Sequence, residues 1–225
     1  MAVRLHFIVE GQTEETFVNR TLGPHLGNLS IWVKARSVMT SRRRGVEHRG
    51  GIVNYAKAKN DINAWVMEDR NRDARFTTMF DLYGLPPDFP GYEDALKASN
   101  PYDRVRVLEH ALEEDISDPR FIPYLQLHEF ETLLLSDPRK LGLQFVDRSV
   151  GIRKLVKMAS GFESPEHIND GIDTAPSKRI TDAVPEYGGM KPSAGPIVAE
   201  KIGLSALRSK CAHFGEWIGK LEGLA

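Results

Sequence analysis

The sequence predicts an α/β protein in which a mostly parallel sheet is flanked by helices and followed by a helical C-terminal extension. Short runs rich in β-branched and aromatic residues alternate with longer stretches whose apolar residues recur at helical spacing. Strands separated by segments of helix length pair in parallel through right-handed crossovers. After Asp137 and Pro138 the pattern is helical throughout. We therefore assign residues 1–137 to an α/β domain and residues 138–225 to a helical extension packed on it.

Four strands are predicted in the first part of the chain, with helical stretches between them. The strand-like runs cover residues 4–9, 31–39, 76–80 and 121–127. A helix follows the first strand after Thr13, which is a good N-cap residue, and further helical periodicity covers residues 52–68 and 102–116. In the extension, short helical stretches broken by Gly and Pro cover residues 150–158, 177–184, 193–202 and 204–221.

Two loops are distinctive. Residues 84–91 read Gly-Leu-Pro-Pro-Asp-Phe-Pro-Gly, which is too rich in Pro and Gly for a helix or a central strand. This stiff loop follows Asp81 directly and is placed to form a lid or wall over a crevice. Residues 41–51 are polar, rich in Arg and Gly, and have no apolar periodicity, so they are predicted to form a second loop.

Composition predicts an ordinary soluble globular protein, because 41% of the 225 residues are hydrophobic and 27% are charged. The formal net charge of -1 gives no global attraction to nucleic acid, so affinity for a polyanion must come from local patches. No apolar stretch approaches the roughly 20 residues of a membrane span, and no signal segment is evident. We expect a cytoplasmic protein without membrane contact, whose one cysteine, Cys211, is a buried structural thiol.

Acidic residues directly follow three of the predicted strands. Glu10 follows the first strand, Asp81 the third, and His128 and Glu129 the fourth. Ligands bind outside the carboxyl ends of strands in open α/β sheets. Carboxylates gathered there repel one another unless they share a hard cation such as Mg²⁺ or Mn²⁺. The layout therefore predicts a metal site, although an Asp at a strand end also suits a turn cap. Thr132 stands where a His-Glu-x-x-His zinc protease needs its second His.

Two further acids and the histidine each allow a second interpretation. Glu14 lies four residues after Glu10, but an acid in a first helical turn is also favoured by the helix dipole. Glu131 shares a face with Glu129 if the strand continues, whereas a helix starting at Glu129 would let only one of them reach the crevice. His128 either contacts the substrate or the ligands, or is an ordinary hydrogen-bonded histidine.

Cations concentrate in one loop. The segment 41–51 carries Arg42, Arg43, Arg44 and Arg49. Guanidinium groups fit phosphate oxygens, so this loop is predicted to bind a nucleic-acid backbone, the alternative being a solvated surface loop. The extension adds Lys178, Arg179 and Lys191.

Three motifs together resemble a known domain. They are Val-Glu-Gly-Gln-Thr-Glu-Glu-Thr-Phe at 9–17, Met-Phe-Asp-Leu-Tyr-Gly-Leu-Pro at 79–86 and His-Glu-Phe-Glu-Thr-Leu-Leu at 128–134. They resemble the Toprim domain of topoisomerases, primases and, most closely, old-type (overcoming-lysogenisation-defect) nucleases, whose pattern pairs two glutamates four residues apart, here Glu10 and Glu14. More narrowly, they are similar to an uncharacterised bacterial family of Toprim-like domains of unknown function, over nearly the whole chain. Members of that family are often encoded beside ATPases of the ABC or AAA type.

The acids and the resemblance together lead to a specific expectation. The chain is expected to be a Toprim-like, Mg²⁺- or Mn²⁺-dependent nuclease that cuts phosphodiester bonds in DNA or RNA. It would work with a partner ATPase in bacterial phage defence or DNA processing. The expected metal ligands are Glu10, Glu14, Asp81, Glu129 and Glu131. Lys191 or Lys178 would offset charge that develops on the phosphate. The arginine loop, with Lys178 and Arg179, would bind the nucleic acid.

One departure from the Toprim pattern keeps two other readings open. The pattern has Asp-x-Asp on its later strand, and here the second position is Tyr83. Either Glu129 or Glu131 replaces that acid, or metal binding is weaker, or catalysis is lost. In the last case the chain would be a non-catalytic partner or regulator of an ATPase, which the near-zero net charge also favours. A third reading is a small-molecule phosphohydrolase or phosphotransferase, which would need an enclosed pocket rather than an open groove.

Overall fold

A computed structural model describes residues 2–38, 52, 54–169, 171 and 174–225. Its sheet has five strands: β1 Val3–Val9, β2 Ile31–Ser37, β3 Ala74–Asp81, β4 Phe121–Ile122 and β5 Leu125–Gln126. The strand order is β2-β1-β3-β4, β5 also pairs with β3, and every pair is parallel. The predicted fold class is confirmed, because a parallel sheet flanked by helices is an α/β fold of the Rossmann-like kind.

The helices agree with the predicted stretches to within a few residues in most places. In chain order they are α1 Gln12–Phe17, α2 Gly23–Gly27, α3 Tyr55–Glu68, α4 Tyr92–Ala95, α5 Pro101–Ile116, α6 Glu131–Leu134, α7 Ser149–Ala159, α8 Pro176–Ala183, α9 Tyr187–Ile202, α10 Leu204–Lys210 and α11 Ala212–Glu222. A π-helical turn joins α1 to α2, so the first predicted helix is continuous but irregular. None of the helices in the described ranges is both long and apolar enough to cross a bilayer.

The fourth predicted strand is wrong as one continuous element. Residues 121–127 form two short strands, β4 and β5, which lie beside β3 one after the other. Pro123 has no backbone N–H to give to the ladder. The hydroxyl of Thr78 fills the gap, because its Oγ1 donates to the Tyr124 carbonyl at 2.9 Å and accepts from the Tyr124 N–H at 2.9 Å.

The prediction for the extension needs two corrections. The predicted helix 193–202 begins earlier, at Tyr187, and passes through Pro192 and Pro196, which sequence reasoning treats as helix breakers. The predicted helix 204–221 is two helices separated at Cys211, whose backbone is extended. Cys211 is nevertheless a buried thiol as predicted, 3.4 Å from the Ser136 hydroxyl oxygen, and burial raises its pKa.

Apolar residues pack on both faces of the sheet. On one face, Ile8 and Phe76 pack with residues of α3 and α5. On the other face, Leu5 and Phe7 pack with residues of α1, α9 and α11. The Phe7 ring meets Trp217 of α11 edge-on, with 5.7 Å between the ring centroids. Because both faces are covered, the carboxyl edge of the sheet is the surface that remains for a ligand site.

The loop after β3 is anchored to the sheet face that α3 and α5 cover. Residues 82–84 form a 3-10 turn, and the chain from Leu85 to Gly91 is neither helix nor strand, as predicted. Leu85 and Phe89 are buried among the residues of α3 and α5. This packing holds the Gly- and Pro-rich segment in place directly after Asp81.

Candidate functional site: a carboxylate-lined cavity

Glu10 and Asp81 are tied together at the carboxyl ends of the two central strands. The Glu10 N–H donates to the Met79 carbonyl at 3.3 Å, which extends the β1–β3 ladder by one bond. The Asp81 N–H donates to Glu10 Oε2 at 3.1 Å. The two carboxyl groups therefore belong to one small region, although β1 and β3 are far apart in sequence.

Acidic side chains from both parts of the chain line one cavity at this edge, with a volume of about 1020 Å³. They are Glu10, Glu14, Asp81, Glu129, Glu131 and Asp182. Sequence reasoning predicted that the first five lie near one another, and the structure brings them together. Asp182 was missed, because nothing in the pattern of α8 distinguishes it from an acid on a solvated helix face.

Glu14 shapes the turn that leads from β1 into α1. Gly11 is the N-cap of α1, so the predicted cap at Thr13 is wrong, and Thr13 lies inside the helix. The Gly11 N–H donates to Glu14 Oε2 at 2.9 Å, so the glutamate caps its own helix. Its side chain is nonetheless buried, and burial together with the charge of Glu10 raises the pKa of Glu14 to about 8.

One carboxyl oxygen of Asp81, Oδ1, is buried without a hydrogen bond to any described residue. Burial, followed by the charges of Glu10 and Glu14, raises the pKa of Asp81 well above its usual range. A buried carboxylate oxygen without a partner is costly, and buried charges are normally paired or bound to metal.

Glu129 and Glu131 both reach the cavity. Strand β5 ends at Gln126 and helix α6 begins at Glu131, so neither of the two alternatives applies and both side chains line the cavity. Glu129 accepts a hydrogen bond from the Ser177 N–H of α8, and burial and the charge of Glu131 raise its pKa. Glu131 Oε1 accepts from the Tyr187 hydroxyl at 3.0 Å and lies 3.3 Å from Lys191 Nζ.

His128 is held in the wall beside this cavity and does not line it. Its backbone has a left-handed conformation, with φ of 63°. This conformation turns the chain away from the line of β5 and towards α6. Its Nε2 donates to the Glu166 carbonyl at 2.8 Å, and burial lowers its pKa. Of the two interpretations of His128 given by the sequence, the structure shows the hydrogen-bonded histidine.

Tyr83 takes a position at the rim. It lies in the 3-10 turn after β3, so the strand does not continue to it, and its side chain is 39% exposed. The Tyr83 N–H donates to the His128 carbonyl at 3.0 Å, and the two rings lie 5.4 Å apart. The Asp-x-Asp alternation of the Toprim pattern is therefore absent in geometry as well as in sequence.

The predicted cations divide into three groups. Lys178 and Lys191 line the cavity. Arg179 does not, and its Nε donates instead to the Thr174 carbonyl at 2.7 Å. The four arginines of the predicted nucleic-acid loop, Arg42, Arg43, Arg44 and Arg49, lie outside the described residues.

The chemistry of the cavity fits a hard cation, but its side chains are not already arranged around one. Within the described ranges, no three Asp, Glu, His or Cys side chains are close enough together to hold a metal ion. The available donors are carboxylate oxygens, which suit Mg²⁺ or Mn²⁺, and Asp81 Oδ1 is buried without a partner. Binding an ion would need the glutamate side chains, which have several rotatable bonds, to draw closer together.

Fold and cavity define a class of protein: an α/β protein whose parallel sheet carries a carboxylate-lined cavity at its carboxyl edge. A comparison with protein-family models is more specific, because residues 9–222 match a domain of unknown function, DUF4276. The chain belongs to this family, and the match includes both the strands and the helical extension. Comparisons with curated proteins and with solved structures found no match.

Proposed function

We propose that the chain is a divalent-metal-dependent phosphodiesterase of the Toprim type that cuts DNA or RNA. The observation that carries the proposal is the gathering of carboxylates around Asp81 at the carboxyl edge of a parallel sheet. Burial and, after it, mutual repulsion raise the pKa of several of them, and a shared cation would stabilise their charged forms. The Toprim resemblance adds the expectation that the substrate is a nucleic acid.

The proposed ligands are Glu10, Glu14, Asp81, Glu129 and Glu131. A bound Mg²⁺ or Mn²⁺ would supply charge stabilisation at the phosphate and a more acidic water. The remaining contributions come from the chain itself. Lys191, close to Glu131 at the cavity wall, and Lys178, on the rim, are positioned to attract the phosphate oxygens. Glu129 and Glu131 take the place of the acid that the Toprim pattern has at position 83.

The proposed partners follow from the resemblance. DNA or RNA would bind along the arginine loop, which contains Arg42, Arg43, Arg44 and Arg49, and along Lys178 and Arg179. An ABC- or AAA-type ATPase would act with the protein in phage defence or DNA processing. The cytoplasm is the proposed location, because nucleic acid and ATP are both available there.

A second candidate is a non-catalytic Toprim-like partner or regulator of an ATPase. Tyr83 favours it, because a phenol occupies the position of a metal-binding carboxylate. A net charge of -1 also gives no general attraction to nucleic acid.

Two measurements on the same protein separate the candidates. Titration calorimetry with Mn²⁺ reports metal binding, and cleavage of plasmid and single-stranded substrates reports catalysis, each with and without the proposed partner ATPase. The nuclease proposal expects binding in the micromolar to millimolar range and Mn²⁺-dependent cutting. If the wild-type protein binds no divalent ion and cuts nothing in either condition, the non-catalytic reading replaces it.

A further inference from the structure

A second cavity of about 570 Å³ adjoins the carboxylate cavity. Four residues line both: Tyr83, Glu129, Ser177 and Lys178. The two cavities differ in charge, since Glu129 is the one acid among the described residues lining the second. Arg104 and Lys178 are its cations. Among the described residues, a group bound there would lie beside the carboxylates but face two cations and one acid.

Arg104 is the first unusual feature of this second cavity. It projects from the first turns of α5, and its guanidinium Nε is buried with no hydrogen-bond partner in the described part of the chain. Leaving a buried charged donor unpaired costs more than leaving a neutral one unpaired, so such atoms are rare and call for an explanation. A buried guanidinium Nε–H without a partner among the described residues is well suited to donate to a phosphate oxygen.

His128 is the second unusual feature. The ring is 4% exposed and belongs to the wall of the same cavity. Its Nε2 is used by the Glu166 carbonyl, whereas its Nδ1 is buried and finds no partner among the described residues. With the proton on Nε2, Nδ1 is an acceptor, so it would take a hydrogen bond from a hydroxyl carried by the phosphate or by its sugar.

The end of α5 adds a favourable field to these two groups. Helix α5 has 16 residues, and Asn100 and Pro101 at its N-terminus line the cavity. The partial positive charge at a helix N-terminus stabilises a nearby anion. Ser99 and Ser177 also line the cavity. The start of α5 and the Arg104 side chain thus meet Lys178 of α8 at one cavity.

We propose that this second cavity binds a phosphate group next to the carboxylate site. Under the proposed function, that phosphate belongs to the nucleic acid being cut, either the internal phosphate adjacent to the scissile one or a terminal 5′-phosphate. The identification of this phosphate as part of a nucleic acid rests on the proposed function. Affinity for phosphate itself rests only on Arg104, Lys178 and the start of α5, and His128 adds an acceptor where the ligand carries a hydroxyl.

The test begins with inorganic phosphate as the probe, titrated against the full chain in EDTA and followed by thermal unfolding and by NMR. Arg104→Gln removes the charge and keeps a polar side chain. Arg106→Gln is the matched control, because Arg106 lies on the same helix, is 60% exposed and does not line the cavity. Lys178→Gln is a second, independent variant, and unfolding without phosphate shows whether each variant is folded.

Wild type and Arg106→Gln are expected to bind phosphate alike, and Arg104→Gln to bind about tenfold more weakly or worse, from the loss of one charge-assisted hydrogen bond. Equal phosphate affinity in Arg104→Gln and Arg106→Gln, or no phosphate binding by the wild-type protein, would overturn the inference. If Arg104→Gln does not fold, Lys178→Gln decides in the same way.

Short single-stranded oligonucleotides with a 5′-phosphate or a 5′-hydroxyl identify the source of the phosphate. A preference for the 5′-phosphate that disappears in Arg104→Gln assigns the cavity to a strand end, and an equal loss for both oligonucleotides assigns it to an internal phosphate. A protein that cuts nothing but binds phosphate through Arg104 would disprove the nuclease proposal alone. Normal cleavage with unchanged phosphate binding in Arg104→Gln would disprove the cavity alone.

Discussion

The backbone N–H of Asp81 donates a hydrogen bond to the side-chain oxygen Oε2 of Glu10, with 3.1 Å between the two atoms. This bond joins the end of β3 to the residue after β1. It fixes one carboxylate beside Asp81, whose Oδ1 atom is buried and has no hydrogen-bond partner in the described ranges. The two carboxylates are thereby held close enough to repel each other. Such unfavourable arrangements are found mostly at functional sites, where a bound ligand can offset the repulsion.

Glu10→Gln is expected to lower Mn²⁺ affinity by at least about tenfold, because one charged ligand is lost while an oxygen remains to accept from the Asp81 N–H. Cleavage in Mn²⁺ should fall by orders of magnitude, since metal binding precedes it. Calorimetry and a plasmid-nicking assay measure the two effects. The matched control is Glu216→Gln, an exposed glutamate of α11. Equal loss in both variants would rule out a specific role for Glu10.

The arginine loop is tested by salt dependence rather than by affinity alone. Replacing Arg42, Arg43 and Arg44 by Ala should flatten the plot of log affinity against log salt by about 0.9 for each lost contact with duplex phosphate. Fluorescence anisotropy with labelled DNA at several salt concentrations gives the slope. A second triple variant, in which the exposed residues Arg153, Lys154 and Lys157 become Ala, removes the same number of charges from α7. An unchanged slope in the first variant would place the polyanion contact elsewhere.

The sequence was informative where one rule decided the outcome. Apolar runs bounded by turns indicated β1 and β3, and parallel pairing then required Glu10 and Asp81 to share an edge. The sequence was less informative where a side chain makes hydrogen bonds that the backbone makes in a continuous strand pair. The bond between Thr78 Oγ1 and Tyr124 keeps β4 and β5 apart, and no local pattern reveals a partner 46 residues away.

The contribution of the extension to the cavity was the part least accessible from sequence. Asp182, Ser177 and Tyr187 reach the acids only because α8 and α9 fold back against α6 and α1. This arrangement depends on tertiary packing, which helical periodicity does not encode. The second cavity could not be predicted from the sequence either, because in the pattern of α5 Arg104 is indistinguishable from an ordinary surface cation.

A buried glutamate in the extension is predicted to be important for stability. Glu166 is fully buried and accepts from the backbone N–H groups of His213 and Phe214 at 3.1 and 3.2 Å, and from the Tyr102 hydroxyl at 2.9 Å. Glu166→Ala leaves two donors at the start of α11 and the Tyr102 hydroxyl of α5 unpaired, so the free energy of unfolding should fall by at least about 2 kcal/mol. Urea denaturation measures it, with the exposed Glu163→Ala as control. A loss no larger than that of the control would contradict the expectation.

Acid stability should depend on Asp69 at the end of α3. Burial alone would raise its pKa, but hydrogen bonds from His6 and Asn71 and the charge of Arg4 lower it to about 2. Because the pKa is lower in the folded state than the ordinary 3.8, the stabilisation is present above about pH 4. It is lost as the pH falls through about 2.

Asp69→Asn tests this dependence. The variant should unfold more easily than the wild type at pH 5 to 7, and the difference in free energy should shrink steadily as the pH falls from 4 towards 2. Urea denaturation at a series of pH values measures the difference, and Asp147→Asn, at an exposed position, is the control. A difference that is constant over the whole pH range would mean that the titration of Asp69 does not contribute.

The replacement of the expected acid by Tyr83 gives the sharpest distinction between the two candidate functions. If Glu129 and Glu131 already complete the ligand set, Tyr83→Asp should raise Mn²⁺ affinity by less than Glu131→Gln lowers it, because the tyrosine lies on a 3-10 turn at the rim. Calorimetry measures Mn²⁺ affinity for both variants and for Tyr83→Phe. Because Tyr83→Phe loses only the hydroxyl and keeps the ring, it shows how much of any change in Tyr83→Asp comes from the added charge and the lost ring. Metal binding and cleavage that occur in Tyr83→Asp but not in the wild type would instead mean that the natural chain lacks a necessary ligand. One added carboxylate would then hold an ion that the five proposed ligands could not hold alone. That outcome would favour the non-catalytic partner.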